Sequence, residues 1–317
     1  MTTFKKIIAL TLLPLLLAGC NNPEPSSSTE ESLNTSSEDV TSEVSSETTS
    51  EDVTSEGGSY DASDTSITSQ GTSTTSTTSE EKDPSKYYDS VTDNMTGDDL
   101  AEELNKINNK NLVKEVTYAG MRYKFQLSER LPETPEGKMY SFYTNDLIST
   151  EWDGGTTWNR EHVWPNSLGG GKVDDDMHMV RPTSKSINSD RGNDAYALVG
   201  GYDPGRYIAE YRGVAARIIF YCAIKDLSLM IKDGVGYKTG SNTMGKLSDL
   251  LKWNLEYLPS KSETASVTLR LEQFRNEAIY SNKELQGNRN PFIDHPEYAC
   301  RIWGATNSTT KQICGIN

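Results

Sequence analysis

The stretch "WNREHVWPNS", Trp158 to Ser167, sets an arginine, a carboxylate and a histidine side by side in a chain with three histidines in all. A neutral imidazole takes up a proton near neutral pH, so His162 can act as a base. Glu161 beside it offers hard oxygen to a cation such as Mg²⁺. Further on, "DDDMHMVRPTSKSINSDRGN" is rich in residues that bind phosphate and hard cations. Asp and Asn oxygens suit magnesium, and arginine suits phosphate oxygens.

These residues constrain the elements that carry them. A strand sends successive side chains to opposite faces, so Glu161 and His162 act on one atom only where the strand ends or twists. "GTTWNREHVWP" reads as an extended segment stopped by Pro165, and the glycine-rich "SLGGGK" after it makes an ending plausible. "TGDDLAEELNKINNK" predicts a helix, with Thr96 as N-cap and acids in the first turn. "KMYSFYTN" alternates like a strand. "GVAARIIFYCAIKDLSLMI" predicts a strongly apolar helix, and "TMGKLSDLLKWNLEYL" and "VTLRLEQFRNEAIYSNKEL" repeat apolar residues at helical spacing around it. Strands first and helices later predict an α+β fold, in one domain from Lys86 to Asn317.

Ahead of that domain, residues 1–20 read as an export signal: Lys5 and Lys6 precede an apolar run too short to span a bilayer. Its ending, "LAGC", resembles the lipobox of bacterial lipoproteins, which implies a lipidated Cys20 and a chain held at the outer face of the bacterial cell membrane. An ordinary secreted protein cut nearby is the alternative. Residues 21–85 are Ser, Thr, Glu and Asp almost throughout, with "SEDVTSE" occurring twice, and predict a disordered linker. This linker holds 15 acidic residues and one basic, hence a net −14 of the chain's −15. The domain carries 31 acidic and 28 basic residues, so it is close to neutral and has no global attraction for a polyanion. Arg181, Lys185, Arg191, Arg270, Arg275, Lys283, Arg289 and Arg301 would form a local basic groove if they shared a face.

With Cys20 assigned to the anchor, three cysteines remain. Cys222 falls in the most apolar helix and reads as a buried thiol. Cys300 and Cys314 flank a short polar loop and could form a disulfide in an oxidising compartment. No CxxC or HExxH occurs, so neither a zinc-ribbon nor a zincin site is supported.

The order "NREHVWPNS", then "DMHMVRPTSKSINSDRGN", then "GNRNPFIDHPEYACRIWG" resembles the bacterial endonuclease I family of secreted and periplasmic nucleases, over most of Lys86 to Trp303. The resemblance implies a His-Me finger (ββα-metal) core: two strands, the base on the first, then a helix bringing an asparagine to the metal. Carried over by position, the base falls on His162 and the metal ligands on Glu161 and Asn188. A phosphodiester resists attack, so one group must deprotonate water and a cation must take up charge on the phosphate and leaving oxygen. The family implies one Mg²⁺, with Ca²⁺ or Mn²⁺ as alternatives. It also implies endonucleolytic cleavage of DNA, and of RNA, with little sequence preference and 5′-phosphate ends.

Several relatives carry a longer insert after the histidine, including an arginine that steadies the phosphate, whereas "VWPNSLGGGKVDDD" has none. Arg191, Arg160 and Arg181 are the replacements offered, and Asn193 reads as support for the helix. His178 reads as structural, His295 as architectural, Asp174, Asp175 and Asp176 as a solvated loop, and Trp158 and Trp164 as packing. The expected protein is a monomeric, membrane-tethered extracellular nuclease. Two alternatives stand beside it: a non-catalytic binding lipoprotein on the same fold, and a nuclease restricted to RNA.

Overall fold

The structure, a computed structural model, describes residues 84–317. The signal read at residues 1–20, with Cys20, and all but the last two residues of the linker read at 21–85 lie outside the described residues. Among the described residues, no helix is long and apolar enough to cross a membrane.

Helix α1 (Gly97–Asn111) begins after Thr96, with Asp98 and Asp99 in its first turn, where carboxylates complement the positive helix end. The Thr96 hydroxyl itself makes no capping bond. Leu100, Leu104 and Ile107 face the core. Helix α2 (Tyr118–Met121) is a single turn fixed from two sides. The Thr117 hydroxyl accepts from Gly120 N, and Asp175 accepts from Tyr118 N at 2.6 Å.

Strands β1 (Lys138–Tyr140) and β2 (Leu147–Ser149) pair antiparallel, Met139 opposite Ile148. The alternation of "KMYSFYTN" predicts a longer strand. Instead the chain turns after Tyr140, because Tyr143 and Asn145 adopt left-handed backbone, φ 75° and 58°. Ser141 N then bonds to Asp146 O and Asn145 N to Ser141 O, closing the turn.

Strands β3 (Trp158–His162) and β4 (Val180–Ser184) pair antiparallel, Glu161 opposite Arg181 and His162 opposite Val180. The first ends at His162, and Asn166–Leu168 forms a 3-10 turn after Pro165. Helix α3 (Lys185–Arg191) follows β4 directly, with Ser184 as its N-cap, and ends at Gly192, whose φ of 59° favours glycine. It lies against both strands.

Helix α4 (Tyr211–Lys225) is apolar all round and almost wholly buried, as suits a helix with neighbours on every side. Sequence periodicity carries it on to Ile231, but it stops at Lys225. Asp226 accepts from Ser228 N and Oγ at 2.9 and 2.6 Å, local bonds that compete with helical ones. Met230–Ile231 forms β5, in parallel with β6 (Thr243–Met244). Helices α5 (Leu247–Glu256), α6 (Val267–Ser281), α7 (Pro291–Asp294), α8 (Tyr298–Trp303) and α9 (Ser308–Ile313) complete the chain. α1, α5, α6 and α7 surround α4, giving a mixed α+β domain of packed helices with, among the described residues, three separate two-stranded sheets. Cys300 and Cys314 are joined by a disulfide across α8 and α9, and Cys222 is free and buried in α4. Trp158 and Trp164 are fully buried.

A buried carboxylate ties β4 to α6. Glu129 accepts from Arg181 at 2.8 and 3.1 Å and from Arg275 at 2.5 Å. Burial alone would raise its pKa, but the two guanidiniums hold it below the usual range. Arg275 also donates to Met177 O. Beside this group His178 is buried, its Nε2–H donating to Asn288 O at 3.3 Å while Nδ1 has no partner.

Burial pushes the His178 pKa down to about 4. In the unfolded chain the same ring titrates at about 6.5, so between these values the unfolded state binds the extra proton. The contribution is therefore fully present above about pH 6.5 and lost as pH falls towards 4, on the order of 3 kcal/mol across the window. Urea unfolding at about pH 7.5 and about pH 4.5 checks this. His178→Gln should fall less steeply than the parent; an equal slope would remove His178 from the account.

Candidate active site

The strand alternation of β3 divides its residues between two neighbourhoods. Arg160 and His162 both touch Tyr118, whereas Glu161 points inward to Tyr143 and Arg191. α3 closes over the strand from the other side. Its Asn188 donates through Nδ2 to Asn159 Oδ1 at 2.6 Å and, more weakly, to Arg160 O at 3.5 Å. One turn later, Arg191 reaches the same strand at Glu161 and donates to Val163 O at 2.9 Å.

Glu161 is 2 % exposed. The Tyr143 hydroxyl donates to its Oε1 at 2.8 Å, and Arg191 Nε lies 2.9 Å from the same oxygen. That Nε–H is not directed along the contact and has no hydrogen-bond acceptor, so the pair is held by charge and not by a linear hydrogen bond. Burial pushes the Glu161 carboxyl up to about 7, against the pull of Arg191 and Tyr143. Its partners thus offset only part of the cost of burying the charge.

His162, at the strand end, is half-buried. Its ring lies 4.7 Å from that of Tyr118, and its Nε2 is 4.0 Å from Asp174 Oδ2, too far for a hydrogen bond. Nε2 is buried without a partner. Burial lowers the pKa; Asp174 opposes it, and Arg160 and Arg191 reinforce it. The imidazole is therefore neutral at neutral pH, the form that accepts a proton.

The three arginines offered for a phosphate are placed very differently. Arg181 is buried on Glu129. Arg191 is fully buried, and its remaining donors go to the Val163 and Gly192 carbonyls. Arg160 is half-buried and stacks 3.7 Å over the Tyr118 ring, donating to Tyr118 O at 2.5 Å. The groove imagined from eight basic residues does not form: Arg275 shares Glu129, Arg289 is buried on Asp294 and Glu277, Arg270 pairs with Glu133, and Arg301 donates to the Thr92 and Met95 carbonyls. Of the eight, Lys185 and Lys283 are exposed. The buried Glu129, Glu161 and Glu272 have each drawn in a guanidinium, which leaves little of that charge to face a polyanion.

The solvated-loop reading of "DDD" holds for the exposed Asp175 and in part for Asp174, but not for Asp176. Asp174 faces His162, Asp175 holds Tyr118 N, and the buried Asp176 accepts from the Tyr221 hydroxyl at 2.6 Å and from His178 N at 2.8 Å. Asn193 is exposed past the end of α3, and His295 stacks on Tyr298. The sequence reading passed over Tyr118, Tyr143, Asn159 and Tyr196. Asn159 lies within the motif itself, but nothing in the order of residues reports that a tyrosine at a hairpin turn reaches Glu161.

Among the described residues, no group of three or more His, Cys, Asp and Glu side chains could hold a metal ion. The residues that could hold a cation here are a carboxylate, Glu161, and an amide, Asn188. Tyr143 and Arg191 both address Oε1 of Glu161, and the bonds of Asn188 run through its nitrogen, so Glu161 Oε2 and Asn188 Oδ1 are left out of these contacts. Two hard oxygens of this kind fit Mg²⁺, which keeps most of its waters.

A profile of the family described as Endonuclease I matches residues 96–205 and 202–297. An extracellular ribonuclease of Bacillus amyloliquefaciens is 37 % identical over 209 residues, covering 56 % of this chain and 67 % of that one. An extracellular ribonuclease of Bacillus subtilis (strain 168) is 33 % identical over 247 residues, covering 70 % and 79 %. No solved structure matches.

Proposed function

The chain belongs to the endonuclease I family of nucleases, and on that footing we propose that it is an exported, Mg²⁺-dependent endonuclease hydrolysing DNA and RNA with little sequence preference. The observation that carries this reading is the orphaned, buried Nε2 of His162, one residue along the strand from Glu161, whose carboxylate keeps one oxygen out of its internal bonds. β3, β4 and α3 then serve as the two strands and helix of a His-Me finger.

In this mechanism His162, kept neutral, accepts the proton of the attacking water. Glu161 Oε2 and Asn188 Oδ1 would hold the ion, with Ca²⁺ or Mn²⁺ as substitutes. When bound, it supplies positive charge to the phosphate and the departing 3′ oxygen. Arg160, the most accessible of the three arginines, steadies the phosphate, while Arg191 acts through Glu161 as a positioning residue. The two relatives are named as extracellular, which supports export; the apolar N-terminal run ending at Cys20 supports a lipid anchor as well. Nothing in the motifs demands a partner subunit, so a monomer is expected.

A second reading, restriction to RNA, is favoured by the relatives' names. Whether duplex DNA is cleaved as well as RNA separates the two, and the ends of the products test the mechanism they share. Attack by water on an RNA and on a duplex DNA of the same sequence should leave 5′-phosphates on both. Cleavage of RNA alone, ending in 2′,3′-cyclic phosphate, would mean that the 2′-hydroxyl is the nucleophile and would overturn the mechanism.

A further inference from the structure

Each of the two oxygens assigned to the cation has its companion atom tied down by a neighbour. On Glu161 the Tyr143 hydroxyl occupies Oε1 at 2.8 Å; on Asn188 the amide nitrogen is held at 2.6 Å by Asn159 Oδ1. We infer that Tyr143 and Asn159 are positioning residues that aim both ligands before a cation arrives, an inference that rests on the cation site proposed above.

Tyr143 is an improbable residue for its backbone. At φ 75° a bulky side chain meets steric resistance that glycine would avoid. Strain of this kind persists where the surroundings over-determine it, and it gathers at functional sites. Here Phe142 N bonds to Pro182 O at 2.8 Å and Thr183 Oγ1 to Phe142 O at 3.0 Å, which stitches the turn onto β4 and drives the Tyr143 ring beneath Glu161. The ring is fully buried.

Proton counting orients the network. Tyr143 has a single hydroxyl proton and gives it to Glu161, so the Tyr196 hydroxyl, 2.5 Å away, must donate to Tyr143. Two donors in series therefore point at the carboxylate, and Arg191 crowds the same oxygen at 2.9 Å. Hydroxyl and guanidinium together fix the carboxylate's rotation and leave Oε2 on the other side. Asn159 performs the equivalent task on α3. The Asn188 amide nitrogen faces two oxygens, Asn159 Oδ1 and Arg160 O. Turning the amide over would set oxygen against oxygen, so its Oδ1 is held away from the strand.

Such outer groups orient first ligands, and their loss usually weakens metal affinity about 10–100-fold. The test is a titration of the intact protein with Mn²⁺, followed by electron paramagnetic resonance. Parent, Glu161→Gln, Tyr143→Phe and Asn159→Ala are compared, and metal-free thermal melts show that each is folded. The parent should bind one Mn²⁺ and Glu161→Gln should not. Tyr143→Phe and Asn159→Ala should each raise the dissociation constant about tenfold or more, with most of kcat recovered at saturating metal. Should Tyr143→Phe fail to fold because the Tyr196 hydroxyl loses its acceptor, Tyr143→Phe/Tyr196→Phe removes both groups and is held to the same expectation. Unchanged affinity in these variants, with binding still lost in Glu161→Gln, overturns the positioning role and leaves the cation site standing. No Mn²⁺ binding by the parent overturns the site itself, and the inference with it.

Discussion

His162→Ala lowers the rate of plasmid cleavage by about 10²–10⁴-fold, the range expected when a general base is removed, and barely changes the melting temperature. The two halves of this expectation come from the same geometry. No hydrogen bond engages Nε2, the ring's nearest acid is 4.0 Å off, and its main contact is the Tyr118 ring. His178, which serves the fold, is tied to it by one ring nitrogen on Asn288 O, a bond that His162 Nε2 lacks. A buried nitrogen without a partner carries a desolvation cost, and at His162 it faces Asp174 at the end of the strand that carries Glu161. Rate and melting temperature, measured on one preparation, separate the roles: a large loss of stability with a small loss of rate would make His162 structural.

Glu161→Gln costs both activity and stability, and the second loss is the more diagnostic. Arg191 is fully buried, with Glu161 as the carboxylate it touches. Removing one member of a buried pair strands the other charge, typically at about 3–5 kcal/mol. Glutamine keeps the shape and one acceptor, so the lower end of that range is expected. Asn188→Ala provides the contrast. Its amide is half-buried and bonded to Asn159 and a carbonyl, so it should lose activity with about 1 kcal/mol of stability. Chemical unfolding without metal measures both. Equal stability in Glu161→Gln and the parent would show that Arg191 is compensated elsewhere and that its assignment to Glu161 is wrong.

Much of this site could be read from the order of residues because its parts are close in sequence. Glu161 and His162 are neighbours, Pro165 stands just past the strand end, and Asn188 and Arg191 are one helical turn apart. α1, α5 and α6 were legible from periodicity, since each buries one stripe. Where reading failed, a contact distant in sequence had overridden a local pattern. The alternation of "KMYSFYTN" suits a strand, but the turn's bonds to β4 force Tyr143 and Asn145 into left-handed backbone. The apolar run of α4 continues past Lys225, yet Asp226 and Ser228 close a local turn. The imagined basic groove failed for a related reason. Glu129 lies 52 residues from Arg181 and 146 from Arg275, and no local pattern announces that one carboxylate will bury both. With those charges internal, attraction for nucleic acid falls to few groups, among them the half-buried Arg160 and the exposed Lys185.

The most direct measurement is nicking of supercoiled plasmid by the parent protein and by His162→Ala, each in Mg²⁺ and in chelator. Nicking by the parent in Mg²⁺, absent in chelator and absent in the variant, is the result predicted here. Nicking that survives chelation, or that persists in His162→Ala, would contradict a mechanism in which a neutral imidazole activates water beside a cation held by Glu161 and Asn188.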